Sequence, residues 1–192
     1  MKKFPVVLDL ETKYSFRDYD DPKKLEVSVA AIYDYKDSYN QVFEEKELNK
    51  LFPILESASY VIGYNIRSFD MEVLQGYYPG KTSSFAVFDI LDDLRGKIGR
   101  RLALNEFIFA TLGKKKSGHG LHAIDLYKEG KIDELKKYCL DDVSLTKELF
   151  DYGVTNSKVY FLNERGKIEV SVSWKKYLEK GKTQNIPLTL PF

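Results

Sequence analysis

The sequence predicts an α/β fold, a mixed sheet covered by helices. Two observations carry this: three β-rich runs follow one another between residues 4 and 43, and beyond them helical and strand patterns alternate. With 192 residues, the chain suits one large domain or two small ones, and it is long enough to bury a real core.

The first strand covers residues 4–10. Side chains alternate along it, so Phe4, Val6, Leu8 and Leu10 share one face while Val7, Asp9 and Glu11 share the other. Leu25 to Tyr35 is apolar and β-branched enough for a second strand, Asp34 to Ser38 is polar and hairpin-like, and Tyr39 to Phe43 makes a third. From Glu45 the pattern turns helical, with Leu48, Leu51, Phe52 and Leu55 on one stripe. Tyr60 to Tyr64 reads as a fourth strand, Ser68 to Tyr77 as a short helix and Phe85 to Phe88 as a fifth strand. Helical patterns cover residues 89–97, 102–112 and 131–152, the last stopped by Gly153. Val159 to Leu162 and Ile168 to Val172 flank Asn163-Glu164-Arg165-Gly166, a hairpin signal. The tail from Lys180 to Phe192 reads as an irregular docking segment or a linker stub. There is no internal repeat, and no domain boundary is evident before Gly153.

Composition is that of an ordinary globular protein. Hydrophobic residues make up 43% and charged residues 31%, which excludes a disordered or fibrous chain. The formal net charge is +1, from 30 basic and 29 acidic side chains, so binding to nucleic acid or any other charged partner must come from local charge placement. The single cysteine, Cys139, excludes a disulfide framework and a cysteine-rich zinc site, and it fits a reducing, cytoplasmic setting. No apolar run is long enough to cross a membrane, and Asp9 and Glu11 interrupt the first apolar stretch too early for a secretory signal. The chain is expected to begin in a strand.

Three places carry carboxylates of interest. Asp9 and Glu11 stand two residues apart on one strand face, about 6 to 7 Å between Cα atoms, close enough to share a divalent ion. Alone, such a pair is common and reads first as a strand running out into solvent. Asp70 lies at the junction of the fourth strand and the next helix, a favoured place for ligands, where Asp70 or Ser68 equally suits a helix cap. The long helix separates two adjacent aspartates. Leu135, Tyr138, Cys139, Asp142, Leu145, Thr146 and Leu149 recur on a largely apolar face, whereas Glu134, Lys137, Asp141, Ser144 and Glu148 lie on the polar one. Asp141 is then a solvated carboxylate. Asp142 points into the protein, where a charge needs a partner, and Tyr138 stands one turn before it on the same face. A site with Tyr138, a plain Tyr–Asp hydrogen bond and a salt bridge all satisfy that need.

The ordered set resembles the DEDD (DnaQ-like) superfamily of 3′–5′ exonucleases, which have an RNase H-like fold. The first motif is similar to Val7-Leu8-Asp9-Leu10-Glu11-Thr12, the second to Asn65 through Phe69-Asp70, and the third to Tyr138-x-x-x-Asp142-Val143 with Thr146 and Leu149. Tyrosine at 138, with lysine at 137 where the histidine-type enzymes carry histidine, is the tyrosine-type pattern. Segments from Leu104 to Asp142 further resemble the exonuclease domains of family B DNA polymerases and the YprB-like domains found alone or joined to helicases. The chain has no room for a polymerase or helicase of its own, so either is a partner to expect. The resemblance implies an RNase H-like five-stranded sheet, with a three-strand antiparallel meander plus parallel strands, in residues 1–153. Residues 154–192 form a C-terminal hairpin and tail.

The resemblance also implies a mechanism. Asp9, Glu11, Asp70 and Asp142 hold two divalent ions, Mg²⁺ or Mn²⁺, about 3.5 to 4 Å apart. Asp9 bridges them, Glu11 and Asp142 complete the water-bearing site and Asp70 supports the second ion. Tyr138, with a reference pKa of about 10, orients the attacking water and is no strong base. The substrate is then single-stranded DNA or RNA, cut from its 3′ end to nucleoside 5′-monophosphates. Thr12 and Asn65 match positions beside the terminal nucleotide, and Phe69 is a core anchor or a stacking surface. Lys97, Arg100 and Arg101, with Lys114, Lys115 and Lys116, form basic clusters suited to a phosphate backbone or simply to a solvated loop. His119 and His122 lack a third ligand at suitable spacing for zinc and read as loop or cap residues. The rival readings are a catalytically silent nucleic-acid-binding or assembly module and a structure-selective endonuclease on the same fold.

Overall fold

A computed structural model of the chain describes residues 3–115 and 120–178. Lys116, His119 and the tail from Lys180 lie outside the described residues. β1 (Val6–Thr12), β2 (Val27–Asp34) and β3 (Tyr39–Glu44) form the expected antiparallel meander. β4 (Val61–Gly63) and β5 (Val87–Asp89) run parallel to β1 and complete a sheet of order β3-β2-β1-β4-β5. This is an RNase H-like mixed sheet, with β1 at its centre.

The alternation read from the sequence sorts the two faces. Val6, Leu8 and Leu10 enter one core with Ala30, Ile32 and the stripe Leu48, Leu51, Phe52 and Leu55 of α1 (Leu48–Ser57). α2 (Asp70–Leu74) covers the same face. Val7, Val29 and Ala31 enter the other core, under α3 (Ile90–Ile98), α4 (Leu104–Leu112), α5 (Gly120–Lys128) and α6 (Ile132–Asn156). Burying Leu8 or Leu10 contributes about 1.5 to 3 kcal/mol each. A one-residue slip of β1 would exchange them for Asp9 and Glu11, so the register is pinned.

β1 and β2 lie beneath α6, and the Tyr35 hydroxyl donates to Asp151 Oδ1 at 2.6 Å to fix that contact. β6 (Lys158–Asn163) and β7 (Gly166–Ser171) form the hairpin, whose Val159, Phe161 and Val170 join the α6-side core. α4 holds its edge through Thr111, whose Oγ1 accepts from Tyr160 N at 2.9 Å and donates to Tyr160 O at 3.1 Å. A short α7 (Lys175–Leu178) follows.

Gly153 does not stop the long helix, which continues to Asn156 and closes on Ser157 in the left-handed conformation. The glycine is there for the buried Trp174: a Cβ at 153 would lie 2.2 Å from its ring. α5 and α7 fall where the sequence pattern gives no element.

Candidate metal centre

Asp9 and Glu11 project from β1 toward α6, and α6 turns Asp142 toward them. One carboxylate oxygen from each of the three lies within 4.8 Å of the others. Asp142 is 1% exposed and Glu11 8%, with Asp9 half-buried, so the group is largely withdrawn from water. Among the described residues this is the only such cluster, and it contains no histidine. Asp141, its neighbour in sequence, lies instead beside a separate cavity.

Asp70 arrives by a different route. β4 ends at Gly63, where a Cβ would meet the Leu8 carbonyl at 2.9 Å, and the chain then turns through Asn65 at φ +65°. Asp70 opens α2, and neither it nor Ser68 caps that helix. Phe69 is the cap residue and makes no side-chain bond there, while the Ser68 hydroxyl donates to Asn65 Oδ1 at 2.9 Å. The buried Asp70 carboxylate instead accepts the Leu10 N–H at 3.2 Å, on the strand between Asp9 and Glu11. Burial, and next to it the charge of Asp9, pushes the Asp70 carboxyl well above the ordinary range.

Cys139 supplies an independent view of the same cluster. It is fully buried one turn of α6 from Asp142, with its Sγ 3.5 Å from the Asp9 carbonyl oxygen. Its thiol is pushed far up, first by burial and then by the negative charges of Asp9, Glu11, Asp142 and Asp70. One sulfur thus feels all four carboxylates. A group of acids this close, in so little water, raises the energy of its own fully ionised form. An oxygen-only donor set of this kind suits a hard dication.

Lys13, two residues beyond Glu11, is committed elsewhere. Burial acts to lower its pKa, but hydrogen bonds to Glu45 at 2.6 Å and Glu26 at 2.9 Å outweigh it and hold the ammonium charged. Tyr138 is buried on the same face of α6 as Cys139 and Asp142, and its ring meets His122 edge-on at 5.9 Å. His122 is an exposed residue of α5, not a loop or cap residue, and with Tyr138, Lys137 and Asp141 it lines a cavity of about 270 Å³.

The expected substrate residues fall into distinct settings. Thr12 is buried and donates its hydroxyl to the Tyr14 carbonyl at 2.7 Å. Asn65 shapes the turn before Asp70, and Phe69 is half-buried against the α1-side core. Lys97 pairs with Asp93 and Lys114 with Glu148. Arg100 lies over the Phe161 ring and Lys115 over Phe109, while Arg101 is exposed before α4.

Asp89, at the end of β5, is the organising residue that sequence reasoning missed. Its buried carboxylate accepts the N–H groups of Asn65 at 3.0 Å, Arg67 at 2.9 Å, Leu91 at 2.9 Å and Asp92 at 3.4 Å. It caps α3 and fastens the turn that delivers Asp70. The one available signal is an Asp at the very start of the 89–97 helical pattern, which speaks only for the cap. Asp89→Ala is expected to cost on the order of 2 to 4 kcal/mol, about 1 of it from the lost cap. Urea unfolding measures the loss, and hydrogen exchange at residues 65–70 should accelerate; exchange confined to α3 would refute the role in the turn.

No protein-family model matches the chain, and no curated protein matches it in sequence. Solved structures do. The family B DNA polymerase of the hyperthermophilic archaeon Pyrobaculum calidifontis superimposes with a TM-score of 0.57 at 17% identity, over 80% of this chain. At that identity the likeness is one of fold. The chain spans 25% of that polymerase's length.

Proposed function

We propose that this protein is a metal-dependent 3′–5′ exonuclease that hydrolyses phosphodiester bonds of single-stranded DNA or RNA and releases nucleoside 5′-monophosphates. The observation that carries the reading is the meeting of Asp9, Glu11 and Asp142 oxygens within 4.8 Å, beside a buried Asp70. The three sequence motifs and the fold shared with part of a family B DNA polymerase support the same reading.

Asp9, Glu11, Asp142 and Asp70 are the residues to hold two Mg²⁺ or Mn²⁺ ions. Such ions, when bound, supply an activated water and charge stabilisation at the scissile phosphate. Asp9, which meets Glu11 and Asp142 within 4.8 Å and whose charge acts on Asp70, would be a ligand common to the whole set. Asp70, fixed by the Leu10 N–H and by the turn that Asp89 fastens, approaches from the β4 side. Tyr138 serves as an orienting hydroxyl. A phenol O–H positions a water by hydrogen bonding without removing its proton.

The test is direct. With 5′-labelled single-stranded DNA and RNA and Mn²⁺ or Mg²⁺, the protein should give a ladder shortening one nucleotide at a time from the 3′ end, abolished by chelation. Internal cuts would favour the endonuclease. Binding without cleavage under both metals would favour the silent module.

A further inference from the structure

Beside α1 runs a groove of about 440 Å³, lined chiefly by Leu48, Phe52, Pro53, Tyr77, Tyr78 and Pro79. Its aromatic wall is fixed by the fold. The Tyr78 ring packs on Phe52 at 5.0 Å and on Phe85 at 4.9 Å, and the Tyr78 and Tyr77 hydroxyls donate to Glu56 Oε1 at 2.7 Å and Glu45 Oε1 at 2.6 Å. The groove belongs to the α1 side of the sheet, whereas Asp9, Glu11 and Asp142 gather on the α6 side.

The last described residues pass close to this groove. Tyr177 of α7 stacks on Phe88 of β5, with ring centroids 3.8 Å apart. Phe85, three residues earlier and so within about 11 Å along the chain, is the ring that meets Tyr78. β5 is an edge strand, with Phe88 in the α6-side core and Phe85 in the α1-side core. The chain beyond Leu178 therefore needs only to round that edge to reach the groove.

We propose that residues 186–192 dock in this groove in extended form, as an internal strap across the α1 side of the fold. Ile186, Leu188, Leu190 and Phe192 alternate with Pro187, Thr189 and Pro191, so an extended chain puts all its large apolar side chains on one face. The prolines lack an N–H and keep such a segment from pairing inside a sheet, which leaves side-chain packing as its means of attachment. Reach is sufficient, because the eight residues from Leu178 to Ile186 span up to about 29 Å. Charge agrees as well. Lys180 and Lys182 lie on the way, and Glu56 at the groove forms no salt bridge among the described residues. The inference does not depend on the nuclease reading.

The test uses the full chain with Leu188→Glu and Leu190→Glu together, which spoils the apolar stripe and leaves every described residue as it is. Hydrogen exchange at residues 48–56 and 77–79 should quicken in this variant, with exchange in α6 unchanged. A synthetic peptide of residues 183–192 should then bind the variant and not the parent, whose groove is filled. A short tether gives an effective concentration of about 1 mM, so a strap docked nine-tenths of the time requires a peptide Kd of about 0.1 mM. Adding Asn49→Glu and Pro79→Glu, both exposed at the groove, should weaken that binding about 10-fold or more. Unchanged exchange in the variant overturns the proposal, as does peptide binding that is equal in parent and variant or survives the groove substitutions. Groove protection that grows with protein concentration, together with a doubled mass by light scattering, would assign the groove to a second copy and overturn the strap.

Discussion

With Asp9 and Glu11 both replaced by alanine, metal-dependent cleavage of a single-stranded oligonucleotide is expected to fall by about 10³-fold or more. Partners that merely orient metal ligands are worth 10- to 100-fold, so removing two ligands must cost more than that. The same variant should melt higher than the parent when both are free of metal. Asp9 is the strongest charge raising Asp70, and it heads the charges acting on Cys139, so its removal relieves repulsion in a buried site. Divalent ions should raise the melting temperature of the parent and leave that of the variant where it was. Scanning calorimetry with and without Mn²⁺ checks all three statements, and a metal-free variant that melts below the parent would show that the carboxylates are not in conflict.

The second large effect concerns pH. The Asp70 carboxyl is held above its ordinary value by burial and by Asp9, so the folded protein binds a proton that the unfolded chain releases. The contribution of Asp70 to the stability of the metal-free protein is therefore complete below the ordinary carboxylate range and is lost as pH rises from there through the raised Asp70 value. The slope is about 1.4 kcal/mol per pH unit for one proton. Surface carboxylates of the opposite kind, such as Glu44 and Glu47, are held low chiefly by lysine partners, and they finish ionising below this window. Divalent ions should reverse the trend, since their ligands must be deprotonated and affinity climbs with pH. Urea unfolding across a pH series, with and without Mn²⁺, reads the slope directly. Asp70→Asn should flatten the metal-free slope, and a parent that gains stability with pH without metal would contradict the assignment.

Much of the site is legible in local periodicity. The period of two along β1 sets Asp9 and Glu11 apart from Leu8 and Leu10, and the period of 3.6 along α6 separates the buried Asp142 from Asp141. Both are properties of a single element. What escaped depends on contacts between elements. Asp89 reaches Asn65 and Arg67 only because β4 and β5 pair in parallel, with Gly63 opposite Asp89. Gly153 has the residue type of a helix terminus, yet its place is set by Trp174, twenty-one residues away. α5 carries its Leu121 exposed and follows a Lys-, Gly- and Ser-containing stretch, so no clean apolar stripe announces it. The basic runs look alike in sequence, but Lys97, Lys114, Arg100 and Lys115 each meet a neighbour from the fold.

The position of Cys139 bears on how the protein meets oxidants. Thiols react as thiolates, and a sulfur buried among four acids is kept from becoming one. The chain's single cysteine is thus chemically silent while the fold is closed, and peroxide or disulfide stress has no handle on the centre beside it. Any reagent that modifies this sulfur must wait for α6 to lift away from β1, which makes alkylation of Cys139 a clock for the opening of the carboxylate site.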